Sequence, residues 1–382
     1  MTEYDRPETE LLLCCAAPGN QRRAERIRAL SGQSPDWPYL LNMAAAHRVT
    51  PLLYWRLGAV RPETIPDSLA ERFRENTRKS VQLTAELLQL MDLFAHEGIQ
   101  VLAFKGPTLA VTAYGNLALR QFLDLDLLVH REDALRARAV LLGSGYRNSL
   151  QLDSRWEEAY LREYDEFGLI APDGNSLVEL HWAVTPRYFC VPLDIAEFWR
   201  RASPVTVGNR QVAAPGVEDL LLVLCLHGAK HCWRRLSMVC DIAWLMSRSK
   251  IRWDEVLEQA RGLGSVRMIL LGAALAGRLF EMPLPDPIRR GVEADRRVPT
   301  LAAQVSARLL QTGPARSSIL GAGAFHMRAR ERWRDRVLYI GRLTTRVGVE
   351  DRQMADLPSW LAFLYPILRF PRLFRKYGMR IR

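Results

Sequence analysis

The sequence predicts an α+β protein in which a strand-bearing core lies between two helical regions. Three observations carry this. Short apolar runs bounded by Gly, Pro, Asn and Asp cluster between residues 97 and 214. Ahead of them a long helix is expected from about Asp67, a plausible cap after Pro66, to His96. Behind them Pro215-Gly216 punctuates, and Val217-Glu-Asp-Leu-Leu-Leu-Val-Leu-Cys-Leu-His opens a helical stretch that continues to the end. The expected parts are an N-terminal helical region over 1–95, an α/β core over 96–214 and a C-terminal helical domain over 215–382. A Gly/Pro/Ser-rich break from Gly32 to Pro38 interrupts the first part.

Within the core, Glu97-Gly-Ile-Gln-Val-Leu-Ala-Phe-Lys-Gly106 gives a helix end at Gly98, a strand over Val101 to Phe104 and a Lys-Gly turn. Pro107 suits the first turn of a following helix, expected to reach about Leu119. Backbone amides and the helix dipole at such a turn favour an anion, and Lys105 adds a full positive charge. The plainer reading of Lys105 is a solvated loop lysine.

Phe122-Leu-Asp-Leu-Asp-Leu-Leu-Val129 is a short apolar strand interrupted by Asp124 and Asp126. Residues two apart on a strand share a face. Two acids on one face of a buried strand repel each other and are costly to desolvate. A divalent cation resolves both difficulties; a solvated strand edge would avoid them.

Phe167 to Trp182 is expected to form a β-hairpin turning at Asp173-Gly174. Its second arm alternates, with Leu177, Glu179 and His181 on one face and Val178, Leu180 and Trp182 on the other. Paired beside the Asp strand, this arm would bring Glu179 to Asp124 and Asp126; otherwise Glu179 lies on an exposed hairpin face. A second small hairpin, Val205 to Val212, turns at Gly208-Asn209.

Composition agrees with a soluble, cytoplasmic enzyme. The 382-residue chain can build a large core. No apolar run reaches the ~18 residues of a membrane-spanning helix, and the acidic, polar N-terminus does not resemble a secretion signal. Six cysteines without framework spacing indicate a reduced chain. The net charge of +11 concentrates late: Phe325 to Arg382 carries fourteen Arg or Lys against five Asp or Glu. That segment could meet nucleic acid, anionic lipid or a phosphorylated acceptor, or be solvated at the surface of its own helical domain.

His227 and His231 lie four apart beside Cys225, Cys232 and Cys240, yet common zinc spacings are absent. Core cysteines are the expectation there.

Together these motifs resemble the DNA polymerase β-type nucleotidyltransferase superfamily, and more closely a bacterial family of uncharacterised nucleotidyltransferases. The matching elements are Lys105-Gly106, Tyr114-Gly115, Arg120, Asp124-Leu-Asp126-Leu-Leu-Val129, Gly145-Tyr146 and Glu179-Leu-His181-Trp182. His47-Arg-Val-Thr-Pro-Leu-Leu-Tyr54 and His227-Gly-Ala-Lys-His231 through Trp233, Leu236 and Asp241 extend the match to both sides. One departure is the Lys-Gly turn, where the superfamily has Gly-Gly or Gly-Ser closer to the first acid.

The resemblance implies a nucleotidyltransferase core, a small mixed sheet with helices, and transfer of an NMP group from a triphosphate such as ATP to an acceptor. Asp124, Asp126 and Glu179 are then the catalytic and metal-binding acids, holding two Mg²⁺, with Mn²⁺ as a substitute. Lys105, Gly106 and Arg120 fall at the nucleotide; Arg120 could instead anchor the Asp strand. His181 and His231 fall near the acceptor or behind the acids, with Lys230 and Arg234 facing the same cleft; a structural role for His181 is the alternative. The acceptor remains open among small molecule, antibiotic, peptide, lipid-linked intermediate and RNA. A non-catalytic binder of nucleotide or partner, and an RNA-end-modifying enzyme, are the competing classes.

Overall fold

A computed structural model describes residues 6–150, 154–311 and 319–345. The aromatic and arginine-rich stretch Trp360 to Tyr377 lies outside the described residues, as does most of the basic segment from Phe325 onward.

Five strands form the central sheet: β1 (Val101–Ala103), β2 (Asp124–Val129), β3 (Arg147–Asn148), β4 (Glu166–Ile170) and β5 (Leu177–His181). Their spatial order is β1-β2-β5-β4-β3. β2 and β5 run parallel, and every other neighbouring pair is antiparallel. The sheet is therefore small and mixed, with many helices around it. The hairpin turn leaves Gly174 at φ +74°, a conformation that glycine adopts without steric cost. A separate ribbon pairs β6 (Ser203–Val207) with β7 (Arg210–Ala214).

Strand alternation gives the sheet two unlike faces. Leu125, Leu127 and Val129 of β2, Val178 and Leu180 of β5, and Phe167 and Leu169 of β4 enter one apolar cluster. The Asp67–His96 helix covers that face with Leu83, Leu87, Leu90 and Phe94, a spacing of three and four that forms one stripe. The Ala134–Gly143 helix adds Ala134, Ala137 and Leu141. The opposite face holds Asp124, Asp126, Glu179, His181 and Glu166, and there the Val217–Lys230 helix approaches with Val223 beside Leu102, Phe104 and Leu128.

The helices before Asp67 are Pro7–Ala16, Gln21–Ser31, Trp37–Ala46 and Thr50–Val60. The Gly32 to Pro38 break separates the second from the third, and Asp36 caps the third by accepting the Tyr39 amide at 3.0 Å. These helices share a core with the C-terminal ones: Leu11, Leu40 and Leu53 belong to the same cluster as Leu221, Leu245, Leu271 and Leu301. Among the described residues no helix is long and apolar enough to cross a membrane.

The helix after the Lys-Gly turn differs from expectation. Regular α-helix covers only Gly106–Leu109, widens into a π-type turn over Ala110–Tyr114 and stops at Gly115, which is left-handed at φ +70°. Asn116 then accepts the Ala118 amide and starts a separate 3-10 turn, Leu117–Leu119. The apolar spacing of this stretch is met by either geometry; the left-handed glycine decides where the helix ends. Four regular residues offer little dipole to an anion, so charge at this turn rests on Lys105.

Candidate active site

The register of β2 against β5 places Asp126 opposite Glu179, and Asp124 opposite Leu177. The hairpin register then places His181 opposite Glu166 of β4. Asp126, Glu179 and His181 each present a ligand atom within 4.8 Å of one another. His181 Nε2 stands 3.4 Å from Asp126 Oδ1 and 3.6 Å from Glu179 Oε2, while its Nδ1 faces Glu166 Oε2 at 3.4 Å. Asp124 borders the same cavity without joining that tight group.

Lys105 is buried against this floor, its ammonium ion-paired with Asp126. The sequence allowed a solvated loop lysine; the side chain is instead only 12% exposed. Lys105 and His181 thus both bear on Asp126 Oδ1, and the two buried His181 ring nitrogens face only carboxylates, 3.4 to 3.6 Å away. Such atoms are costly unless something charged compensates them.

The electrostatics follow from this crowding. Burial, then Asp126 and Glu179, push the Asp124 carboxyl upward. Burial alone would do the same to Asp126, but Lys105 and His181 outweigh it and hold that carboxyl well below the usual carboxylate range. Burial opposes a charge on His181; Asp126, Glu166 and Glu179 overcome it and carry the imidazole up to about 10. The result is an acid floor whose centre, Asp126, is held ionised by the two cations beside it, Lys105 and His181.

Arg120 borders the cavity with its guanidinium turned onto Asp241, Nε to Oδ1 at 2.9 Å and Nη2 to Oδ2 at 3.1 Å. The Tyr114 hydroxyl donates to the same Oδ1 at 2.7 Å. Its ring stacks on Trp244, with centroids 5.2 Å apart. This buried triad joins the segment before β2 to the Leu236–Arg248 helix. The anchoring alternative for Arg120 matches this contact.

The roof of the cavity is basic. His227 and Lys230 from the Val217–Lys230 helix, His231, Arg234 and Arg235 from the following corner, and Arg48 from the N-terminal region line a space of ≈ 260 Å³ with the acids. Lys230 Nζ reaches Asp165 at 3.6 Å. Burial first, and then neighbouring cations, lower both imidazoles: His227 well below its ordinary value and His231 to about 3. Both are neutral, able to donate or accept hydrogen bonds without adding charge. Cys225, Cys232 and Cys240 are buried free thiols, and among the described residues none joins a possible metal group.

Residues 33–281, well over half of the chain, match the model of a family described as uncharacterised nucleotidyltransferase. The chain belongs to this nucleotidyltransferase family. The matched span takes in the whole sheet, the acid floor and the helices that roof it. No curated protein matches the sequence. Among solved structures, the antibiotic-resistance factor ANT(2'')-Ia in solution is 14% identical over 48% of this chain and 91% of its own, with a TM-score of 0.33. A crystal structure of ANT(2'')-Ia with adenylyl-2''-tobramycin gives 13% identity, 48% and 97% coverage and a TM-score of 0.34. An antigenic nucleotidyltransferase-like protein from Paracoccidioides brasiliensis gives 16%, 54%, 96% and 0.28.

Sequence reasoning did not place Glu166 or Arg235 at this nucleotidyltransferase cleft, nor Asp165 and Asp241 behind it. Glu166 was legible in principle: the Asp173-Gly174 turn fixes the hairpin register, and that register sets Glu166 opposite His181. Asp165, which with Glu166 and His181 makes a second close group of ligand atoms, sits just before β4, where alternation gives no guide. Asp241 lies in an apolar helix more than a hundred residues from Arg120, and nothing local in the sequence marks it as that arginine's partner.

Proposed function

We propose that this nucleotidyltransferase moves a nucleoside monophosphate from a nucleoside triphosphate to an acceptor hydroxyl or phosphate, with Mg²⁺ held by Asp124, Asp126 and Glu179. Residues 96–214 form its catalytic unit, flanked by helical regions over 1–95 and 215–382, in a cytoplasmic protein of the DNA polymerase β type. The single observation that carries the reading is the registered placement of Asp126 and Glu179 on parallel neighbouring strands, under a cavity roofed by basic groups.

The donor set fits a hard divalent cation. It is oxygen-rich: Asp126 and Glu179 present carboxylate oxygens within 4.8 Å of one another, Asp124 borders the same cavity, and the Asp126 carboxyl is held well below the usual carboxylate range. When bound, Mg²⁺ would supply Lewis-acid stabilisation of the charge that develops on phosphate oxygens. The chain's own residues do the rest. The acceptor oxygen attacks the α-phosphorus, the bond to the bridging oxygen breaks, and pyrophosphate leaves. Glu179, the more exposed member of the Asp126 pair, takes the acceptor proton. His181 orients Glu179 and Asp126 from between them. Arg120 positions β2 through Asp241 and Tyr114, holding the Asp124-Leu-Asp126 run against the roof.

Lys105 occupies ground that a metal ion would share, because its ammonium already neutralises Asp126. Lys105→Met should therefore destabilise the metal-free protein, by about 3–5 kcal/mol if the acids behave as a broken buried pair. Added Mg²⁺ should then stabilise this variant more than it stabilises the parent. Thermal unfolding with EDTA and with Mg²⁺ measures both; an equal Mg²⁺ increment in the two proteins would remove Lys105 from the metal's place.

The function itself is tested with four α-labelled nucleoside triphosphates, Mg²⁺ and cell extract. Label should move from one or more of them to a discrete acceptor, and EDTA should stop it. Failure of every triphosphate to label any extract component above a heat-killed control would refute the reading.

A further inference from the structure

Both cations expected at phosphate are already engaged, Lys105 by Asp126 and Arg120 by Asp241. Three others in the cavity are not. Arg48, Arg234 and Arg235 line it, and among the described residues none pairs with a carboxylate. Arg234 meets only a ring nitrogen of His231, at 3.3 Å.

Two distant stretches of chain are fastened together to present these side chains. Arg48 turns the corner between the Trp37–Ala46 and Thr50–Val60 helices at φ +55°. Its neighbour His47 accepts the Leu236 amide on Nδ1, and through its carbonyl the Ser237 amide, both at 3.2 Å. That ties the corner to the start of the Leu236–Arg248 helix. Arg234 and Arg235 directly precede that helix and follow Cys232 and Trp233, left-handed at φ +52° and +54°. Consecutive left-handed non-glycine residues are strained and persist only where surrounding packing enforces them. Here the Trp233 ring is fully buried in the helical core.

The arrangement gathers like charges. Burial, then Arg48 and Arg234, make protonation of Arg235 less favourable than usual, with Asp124 across the cavity acting in the opposite sense. An anion between the three would relieve the repulsion. Planar guanidinium forks match phosphate oxygens bidentately, and the acid floor would turn phosphates away from itself and toward this roof.

We propose that Arg48, Arg234 and Arg235 form a polyphosphate-binding subsite on the cavity roof, facing the carboxylate floor. It rests on the nucleotidyltransferase reading of the cleft. Its ligand is the triphosphate tail of the nucleotide or the phosphate of a phosphorylated acceptor.

The test is calorimetric titration of the full-length protein with inorganic tripolyphosphate in EDTA, where no metal can bridge. The parent should bind. Arg234→Gln, at an exposed position, should weaken binding about tenfold, and the combined Arg48→Gln, Arg234→Gln and Arg235→Gln variant about a hundredfold or more. Glutamine keeps a non-glycine side chain at the left-handed Arg48, and an unchanged melting temperature for Arg234→Gln guards against misfolding. Binding by the combined variant within twofold of the parent would overturn the subsite. Competition with a non-hydrolysable nucleoside triphosphate assigns the source: displacement of tripolyphosphate identifies the nucleotide tail, and simultaneous binding identifies a phosphorylated acceptor. Asp126→Asn should bind tripolyphosphate at least as tightly as the parent. Arginine-dependent tripolyphosphate binding by a protein that transfers no nucleotide would refute the catalytic reading while leaving the subsite standing.

Discussion

Asp126→Asn is expected to lower nucleotidyl transfer by about three orders of magnitude or more, the equivalent of several kcal/mol of lost transition-state stabilisation. Asparagine keeps the volume and one oxygen of the side chain but removes the charge. Asp126 is the most buried acid of the floor, the one facing both Lys105 and His181, and the registered partner of Glu179. Without its charge the remaining donors are a weaker trap for a divalent ion. The fold should survive. Lys105 still feels Glu179 and Asp124, and His181 still faces Glu166, so the loss should fall below the ~3–5 kcal/mol of an isolated broken pair. Steady-state transfer and urea unfolding, measured on the same preparation, separate the two effects. Transfer within tenfold of the parent would remove Asp126 from the reaction.

A stability loss as large as that at Lys105 is expected just before β2. Arg120→Met should cost about 3–5 kcal/mol, because it strands the buried Asp241 carboxylate that Arg120 holds with two hydrogen bonds. Tyr114→Phe removes one hydrogen bond to the same oxygen and should cost only about 1–2 kcal/mol. Combining Arg120→Met with Asp241→Leu should recover part of the loss, since both charges then leave together. Denaturant unfolding of the parent, Arg120→Met, Asp241→Leu and the combined variant closes a double-mutant cycle. Additive losses at Arg120 and Asp241 would mean that the pair does not act as a unit.

Much of this architecture is legible in the sequence, for identifiable reasons. The Asp67–His96 helix was bounded in the sequence by Pro66 and Gly98, although Asp67 is its first helical residue and makes no side-chain cap; its stripe of Leu83, Leu87, Leu90 and Phe94 shows in the packing. The hairpin was fixed by Asp173-Gly174, and its alternation put Glu179 and His181 on one face. The meeting of β5 with β2 depends on parallel pairing across some fifty residues, and the sequence could offer it only as a condition. Long-range polar contacts were the blind spot. Lys105 finds Asp126 and Arg120 finds Asp241 through folding, and no local pattern separates those lysines and arginines from solvated ones. The short helix after Gly106 was overextended because its apolar spacing is compatible with an α-helix or a wider turn, and left-handed Gly115 settles the matter.

The central claim is transfer of the α-phosphoryl nucleotide unit rather than of the terminal phosphate. The most direct measurement runs two parallel reactions with Mg²⁺, the same acceptor-containing extract and one triphosphate labelled either at the α- or at the γ-position. This account predicts that α-label joins the acceptor, that γ-label leaves in pyrophosphate, and that Asp126→Asn stops both. Recovery of γ-label on the acceptor, with α-label left in a nucleoside diphosphate, would contradict it.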